Sequence, residues 1–219
     1  MSNRPFLPLL LATTIVAEGC SPFTGEGSNA APPPPPRAAY AIQELPEVEF
    51  NLPDLDGGRV RIPTPIGWNS GSKQNDRVVW FYHRDRTGLP RIIITASQPE
   101  DGAQETNSSN LAQFVTTVQA RVEQEKDLIE PAKGIQLGDS AWVRYVMLGR
   151  TKERRGIDRQ FLKAVRSNRE YTIELQVLGG TIHQFKTVAY AIAAHLSTVD
   201  EKAVVEPATP PVEPTKPPE

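Results

Sequence analysis

One cysteine, Cys20, is all that the 219 residues contain, so no disulfide can staple the fold, and oxidising surroundings neither help nor threaten it. Charge of one sign is also lacking. Lys and Arg number 24 against 26 Asp and Glu, a net charge of -2 and a pI of about 6.0, so bulk charge gives no reason to expect nucleic acid or an anionic bilayer as partner. Histidine is scarce, and His83, His183 and His195 form no metal pattern. The last two stand twelve residues apart, a spacing that puts them on different faces of a helix. No Gly-x-Ser-x-Gly supports a hydrolase triad, and no lysine follows Gly179-Gly180-Thr181 as it would in a phosphate-binding loop. Neither metal nor other cofactor is expected, and no catalytic residue can be named.

What is present begins at the N-terminus. Asn3-Arg4 supplies a short positive region, and Phe6 to Ala17 is apolar apart from Pro8 and two threonines, a run too short to span a bilayer. Gly19 then precedes Cys20. The stretch Ile15 to Cys20 resembles the lipobox of bacterial lipoproteins, in which the cysteine is acylated on sulfur and again on its freed amino group. Ala17 and Glu18 depart from the usual pattern. Ala17 and Gly19 also satisfy the small-x-small rule of the ordinary signal peptidase, the alternative that leaves Cys20 as a free thiol. The resemblance implies a lipid anchor at Cys20 on the periplasmic side of the bacterial envelope. Each buried methylene would add about 0.8 kcal/mol, and two or more chains hold firmly where one does not.

Proline, 21 residues in all, gathers toward the ends. The expected organisation is a signal peptide over 1–19, a lipid-attached linker over 20–45 stiffened by Pro32 to Pro36, a single α/β domain over 46–200, and a disordered Pro/Glu-rich tail over 201–219. About 155 residues suffice for one core.

Within the domain, Val48 to Leu52 and Arg59 to Ile62 alternate around the turn chemistry of Pro53 to Gly58, which predicts a hairpin. Val78 to Tyr82 and Arg91 to Ala96 predict a second. Ala141 to Leu148, Gln160 to Val165 and Glu170 to Val177 predict a three-strand meander. Helical periodicity replaces alternation at Leu111, Val115, Val118 and Val122, with caps offered by Asn107, Ser108 and Ser109. It returns at Ile182, Phe185, Ala189, Ile192 and Leu196, opening at Thr181. Tyr171, Ile173, Leu175 and Val177 alternate with Thr172, Glu174 and Gln176, while the two preceding strands are apolar on both parities. The fold class that follows is α+β, an antiparallel sheet flanked by helices.

The Pro65-Ile66-Gly67-Trp68 turn, and the closing strand Tyr171-Thr172-Ile173-Glu174-Leu175 that leads into Phe185 and the last helix, carry a resemblance to the Mog1/PsbP-like α/β/α sandwich over roughly residues 48 to 198. That family implies no common enzymatic activity, and fold alone does not deliver function. Phe50 to Ile62 also has a passing likeness to the opening of exported thioredoxin-like proteins. Redox exchange is excluded because no cysteine follows Cys20.

Three small motifs have simpler explanations. Asp54 and Asp56 lack the continuation of a calcium loop, so Asp56-Gly57 reads as a tight turn. Gly179-Gly180-Thr181 reads as a turn with an N-cap threonine rather than an anion site. The third is charge. Arg144, Arg150, Lys152, Arg154, Arg155, Arg159, Lys163, Arg166 and Arg169 face only Glu153, Asp158 and Glu170. Of these, Arg150, Lys152, Arg154 and Arg155 fall at an expected hairpin tip and are the candidate binding residues, either as a solvated edge that blocks aggregation or as a contact for an acidic protein, lipid headgroup or acidic glycan. The function expected is a membrane-tethered binding or structural module without catalysis. The alternative is an envelope hydrolase with a dispersed site, and the shape of the domain discriminates: a deep pocket lined by titratable groups for the enzyme, a groove or flat face for the module.

Overall fold

Long stretches of β-branched and aromatic residues, broken by turn residues at Gly138-Asp139 and Ser167-Asn168, fold as an antiparallel meander, and everything else packs around it. The computed structural model describes residues 38–71, 77–83, 88–149 and 156–199. In chain order these form β1 (Ala38–Tyr40), a 3-10 turn at Ile42–Glu44, β2 (Val48–Glu49), β3 (Val60–Arg61), β4 (Thr64–Pro65), β5 (Trp68–Gly71), β6 (Arg77–His83) and β7 (Arg91–Ser97). They continue with α1 (Leu111–Val122), β8 (Leu128–Leu137), β9 (Ser140–Gly149), β10 (Ile157–Arg166), β11 (Arg169–Leu178), α2 (Ile182–His195) and β12 (Ser197–Thr198).

Eight strands make one sheet in the order β1-β8-β9-β10-β11-β7-β6-β5, antiparallel throughout except where β1 runs parallel to β8. The expected α+β class is therefore what the structure shows. Both helices stand where periodicity placed them, and β6 and β7 form the second expected hairpin.

The first expected hairpin is corrected. Val48–Glu49 pairs with Thr64–Pro65, and Val60–Arg61 pairs with Ser197–Thr198. The reason is local: Leu55 and Val60 exchange backbone hydrogen bonds of 2.7 and 3.2 Å, closing the turn on itself through positive φ at Asp56, Gly57 and Gly58. The flanking segments then part company. The meander also has four strands rather than three, because β8 precedes it. Pro131 lies inside β8 where the register with β9 shifts, as a residue without an N–H requires. β1 falls within the segment expected to be linker. Tyr40 lies against Tyr190 with ring centroids 5.1 Å apart.

Alternation divides the core in two. One parity of the strands, Trp142, Leu162, Tyr171, Ile173, Leu175, Ile92, Ile94 and Phe81, meets α2. Small residues Ala189, Ala191 and Ala193 let that helix settle closely, and Trp142 donates its indole N–H to the Ala193 carbonyl at 3.1 Å. The other parity, Ala141, Val143, Tyr145 and Phe161, meets Leu111, Val118 and Val122 of α1. Gly134 makes that approach possible, since a β-carbon there would lie 2.9 Å from Leu111 Cδ2. Each large side chain so buried contributes about 1.5–3 kcal/mol.

Candidate functional site

α1 rests on β8 and β9, so the rest of its sheet face has no helix over it among the described residues. Strand register shows what stands there. Asn69, Tyr82, Arg91, Gln176, Arg159 and Met147 are successive partners across β5, β6, β7, β11, β10 and β9, forming one row. The adjacent row is Gly71, Trp80, Ile93, Glu174, Phe161 and Tyr145. Where the rows meet the end of α1, a groove of about 560 Å³ opens above Arg91, Gln176, Arg159 and Phe161, walled by Arg121 and Val122.

The floor is cross-linked. Arg91 Nε donates to Gln176 Oε1 at 2.6 Å, Gln176 Nε2 donates in turn to Glu174 Oε1, and Arg159 Nε donates to the same oxygen at 2.6 Å. The Arg159 guanidinium also lies 4.8 Å from the centre of the Phe161 ring, which stacks on Tyr145 at 4.7 Å and 9°. Deeper in, Glu170 accepts from Arg121 and from Lys163, both at 2.8 Å, and Arg121 Nε lies 2.7 Å from Glu100 Oε1. Burial pushes the Glu170 carboxyl up, but the hydrogen bonds from Lys163 and Arg121 outweigh it and hold the group below the usual carboxylate range. Burial likewise pushes the Tyr145 phenol upward, so it stays neutral. Toward the far edge, the rings of Trp80 and Tyr82 lean against one another, with centres 4.9 Å apart and planes tilted by 31°. This is an array of aromatic rings and mutually paired ions. Among the described residues no nucleophile stands beside a base in it.

The residues singled out in the sequence fare differently. Cys20, Arg150, Lys152, Arg154 and Arg155 lie outside the described residues. The other five cations of the basic stretch are engaged internally. Arg144 bonds Glu130 and Gln160, Arg159 bonds Glu174, Lys163 bonds Glu170, and Arg169 bonds Asp56. Arg166 donates to the carbonyls of Thr106 and Ala141. The arithmetic excess of positive charge is therefore not a surface patch over those five.

Asp56 accepts from Tyr171 at 3.0 Å as well as from Arg169, and Asp54 pairs with Arg61 at 2.8 Å, so both carboxylates brace the turn. At Gly179-Gly180-Thr181 the Gly180 amide donates to Asp158 Oδ2 at 2.6 Å, and Thr181 is the N-cap residue of α2. The chain's own carboxylate thus occupies the anion-binding corner. His83 ends β6 against Trp68, and His195 ends α2 near Phe50. No metal-binding cluster of His, Cys, Asp and Glu occurs among the described residues.

Fold and site together define an α+β domain with one sheet face closed by a helix and the other half open. No family model matches the chain, and no curated protein does. Solved structures give distant likenesses. A crystal structure from Bacteroides thetaiotaomicron VPI-5482 is similar over 72% of this chain at 12% identity and a TM-score of 0.48, and the chain spans half the length of that protein. The solution structure of cyanobacterial PsbP (CyanoP) from Synechocystis sp. PCC 6803 is similar over 68% of this chain and 95% of its own, with 14% identity and a TM-score of 0.41. The third is LpqN, involved in cell envelope biogenesis of Mycobacterium tuberculosis: 64% of this chain and 82% of its own, 9% identity, TM-score 0.43. At this level the likeness concerns shape alone and says nothing of what the chain does.

Proposed function

We propose that this chain is a non-catalytic binding module of the bacterial envelope, anchored through acyl groups on Cys20. The observation that carries the reading is the open half of the α1 face: a groove whose cations Arg121 and Arg159 are committed to Glu100 and Glu170 and to Glu174. A catalytic acid or base needs a free proton-accepting or proton-donating position at the substrate, and ions locked in pairs do not supply one. Binding faces use the same groups differently, as rigid donors whose side-chain entropy is already spent.

The N-terminal pattern at Gly19-Cys20 supports the envelope location, with Arg150, Lys152, Arg154 and Arg155 as a second contact for an acidic partner. Mass spectrometry of the mature N-terminus tests the anchor: acylated Cys20 is expected, and an unmodified terminus in the soluble fraction contradicts it. Photo-crosslinking from position 82 in the native envelope tests the module. A discrete adduct is expected, and a silent face removes the reading.

A further inference from the structure

We infer that the open half of the sheet binds an uncharged saccharide chain, with Trp80 and Tyr82 as its stacking platform. The inference rests on the binding-module reading and names its ligand class.

The platform is built rather than incidental. A β-carbon at Gly71 would lie 1.9 Å from Trp80 Nε1 and 2.0 Å from Cε2, so only glycine lets the indole lie across β5. Trp68 and Trp142 are buried, which leaves Trp80 as the one indole half open to solvent, with the Tyr82 ring beside it. Such rings have an apolar face and a polar edge, the complement of a pyranose with its C–H face and equatorial hydroxyls.

Hydrogen-bonding capacity along these two rows, and in the row beyond them where Thr95 pairs with Thr172, is unspent. The Trp80 N–H, the Tyr82 hydroxyl, the Asn69 amide, the hydroxyls of Thr95 and Thr172, and the two terminal nitrogens of Arg91 have no partner among the described residues. Trp80 and Arg91 supply donors only, while Tyr82, Asn69, Thr95 and Thr172 can donate or accept, a mixture that hydroxyl groups can satisfy. Charge is mostly answered within the floor: Arg159 and Lys163 are paired with Glu174 and Glu170, and Arg91, bonded to the neutral Gln176, is a single guanidinium without a carboxylate among the described residues, too little to draw a polyanion. From β6 to β10 is three strand steps, about 14 Å, room for a short oligosaccharide laid across the strands. An apolar helix would find no continuous apolar strip, because Glu174 stands between Ile93 and Phe161.

The test is calorimetric titration of the full chain with chitotetraose and with cellotetraose, at low and at high salt. Saturable binding is expected with at least one of them, unchanged by salt because no net charge pairs. Trp80→Ala and Tyr82→Ala should each weaken it about tenfold. Gly71→Ala should do the same with every ring retained, since it displaces the indole, and circular dichroism checks that each variant is folded. No heat with either saccharide, affinity unaltered in all three variants, or binding confined to acidic polymers at low salt overturns the inference. Crosslinking from position 82 separates the two ideas: an envelope protein adduct that Trp80→Ala abolishes, with no saccharide bound, leaves the module and removes its ligand. Loss of both saccharide binding and adduct removes the module as well.

Discussion

The face beneath α2 and the face beneath α1 come from the same strands, read one residue out of step. Under α2 the parity is almost wholly apolar, from Phe81 across to Trp142, and the helix covers it. Under α1 the parity is apolar on β9, at Ala132, Phe161 and Val165, and again at Ile93, Trp80 and Tyr82. Among these stand Arg159, Lys163, Glu170, Glu174, Gln176 and Arg91. A strand thus carries two independent messages, since side chains on opposite faces share a backbone but no contacts. The difference teaches that close apolar packing and the polar, paired groups are separated here by parity rather than by position along the chain.

That separation can be broken most severely from the closed side. Trp142→Ala should cost about 3–5 kcal/mol, because it empties the centre of the α2 face and strips the Ala193 carbonyl of its donor. Urea denaturation measures it, and a loss below 1 kcal/mol, as an order-of-magnitude bound, would show that α2 contributes little.

Next is Glu170→Gln, which leaves Arg121 and Lys163 facing a neutral amide at a site only 5% exposed and should cost about 2–3 kcal/mol. Its signature is in pH. The native carboxyl sits below its unfolded value, so its contribution is present above the ordinary carboxylate range and is lost as pH falls through the depressed native value. Denaturation midpoints across the acid range should therefore decline less steeply in Glu170→Gln than in the wild type.

Gly71→Ala comes third, at about 1 kcal/mol, since the neighbour that must shift is a side chain on the open face. A changed tryptophan emission with an almost unchanged melting curve is the expected pair of readings, and the reverse pair would place Trp80 in the structural core. Smallest is replacement of Arg150, Lys152, Arg154 and Arg155 together by serine. Stability should stay within about 0.5 kcal/mol while a salt-sensitive interaction weakens. Unchanged pull-downs and liposome binding in that variant make the tip a solvated edge.

Elements that announce themselves by period were legible in the sequence. The stripes Leu111 to Val122 and Ile182 to Leu196 gave both helices, and the β-branched runs gave β6, β7 and β9 to β11. β8 was hidden because Pro131 and Gly134 interrupt its alternation, and both have reasons that only the packed structure supplies: a register shift and the approach of Leu111. β5, reading Trp-Asn-Ser-Gly, has the composition of a turn and becomes a strand by pairing with β6. The pairing of β3 with β12 joins residues 60 and 198, and no local pattern specifies it.

The open face was legible in one respect. Thr172, Glu174 and Gln176 alternate in what proves to be an interior strand, and polar residues there imply that nothing apolar covers them. Its membership was not, because six strands contribute to each row from positions scattered between Asn69 and Gln176, and strand order decides which of them are neighbours. For Arg144, Arg159, Lys163, Arg166 and Arg169 of the basic stretch the complementary reason applies: counting charges along the chain ignores which are already answered across the sheet.

β1 has a mechanical meaning. Any pull arriving from the N-terminal side enters the domain through Ala38, and only three residues, facing Ile135 to Leu137, join that strand to its neighbour. Tension would be borne first by this short parallel seam and by the Tyr40 ring lodged against Tyr190, while the long antiparallel strands behind it stay unloaded. With three paired residues against the ten of the β10–β11 pairing, the seam is expected to part before the meander does.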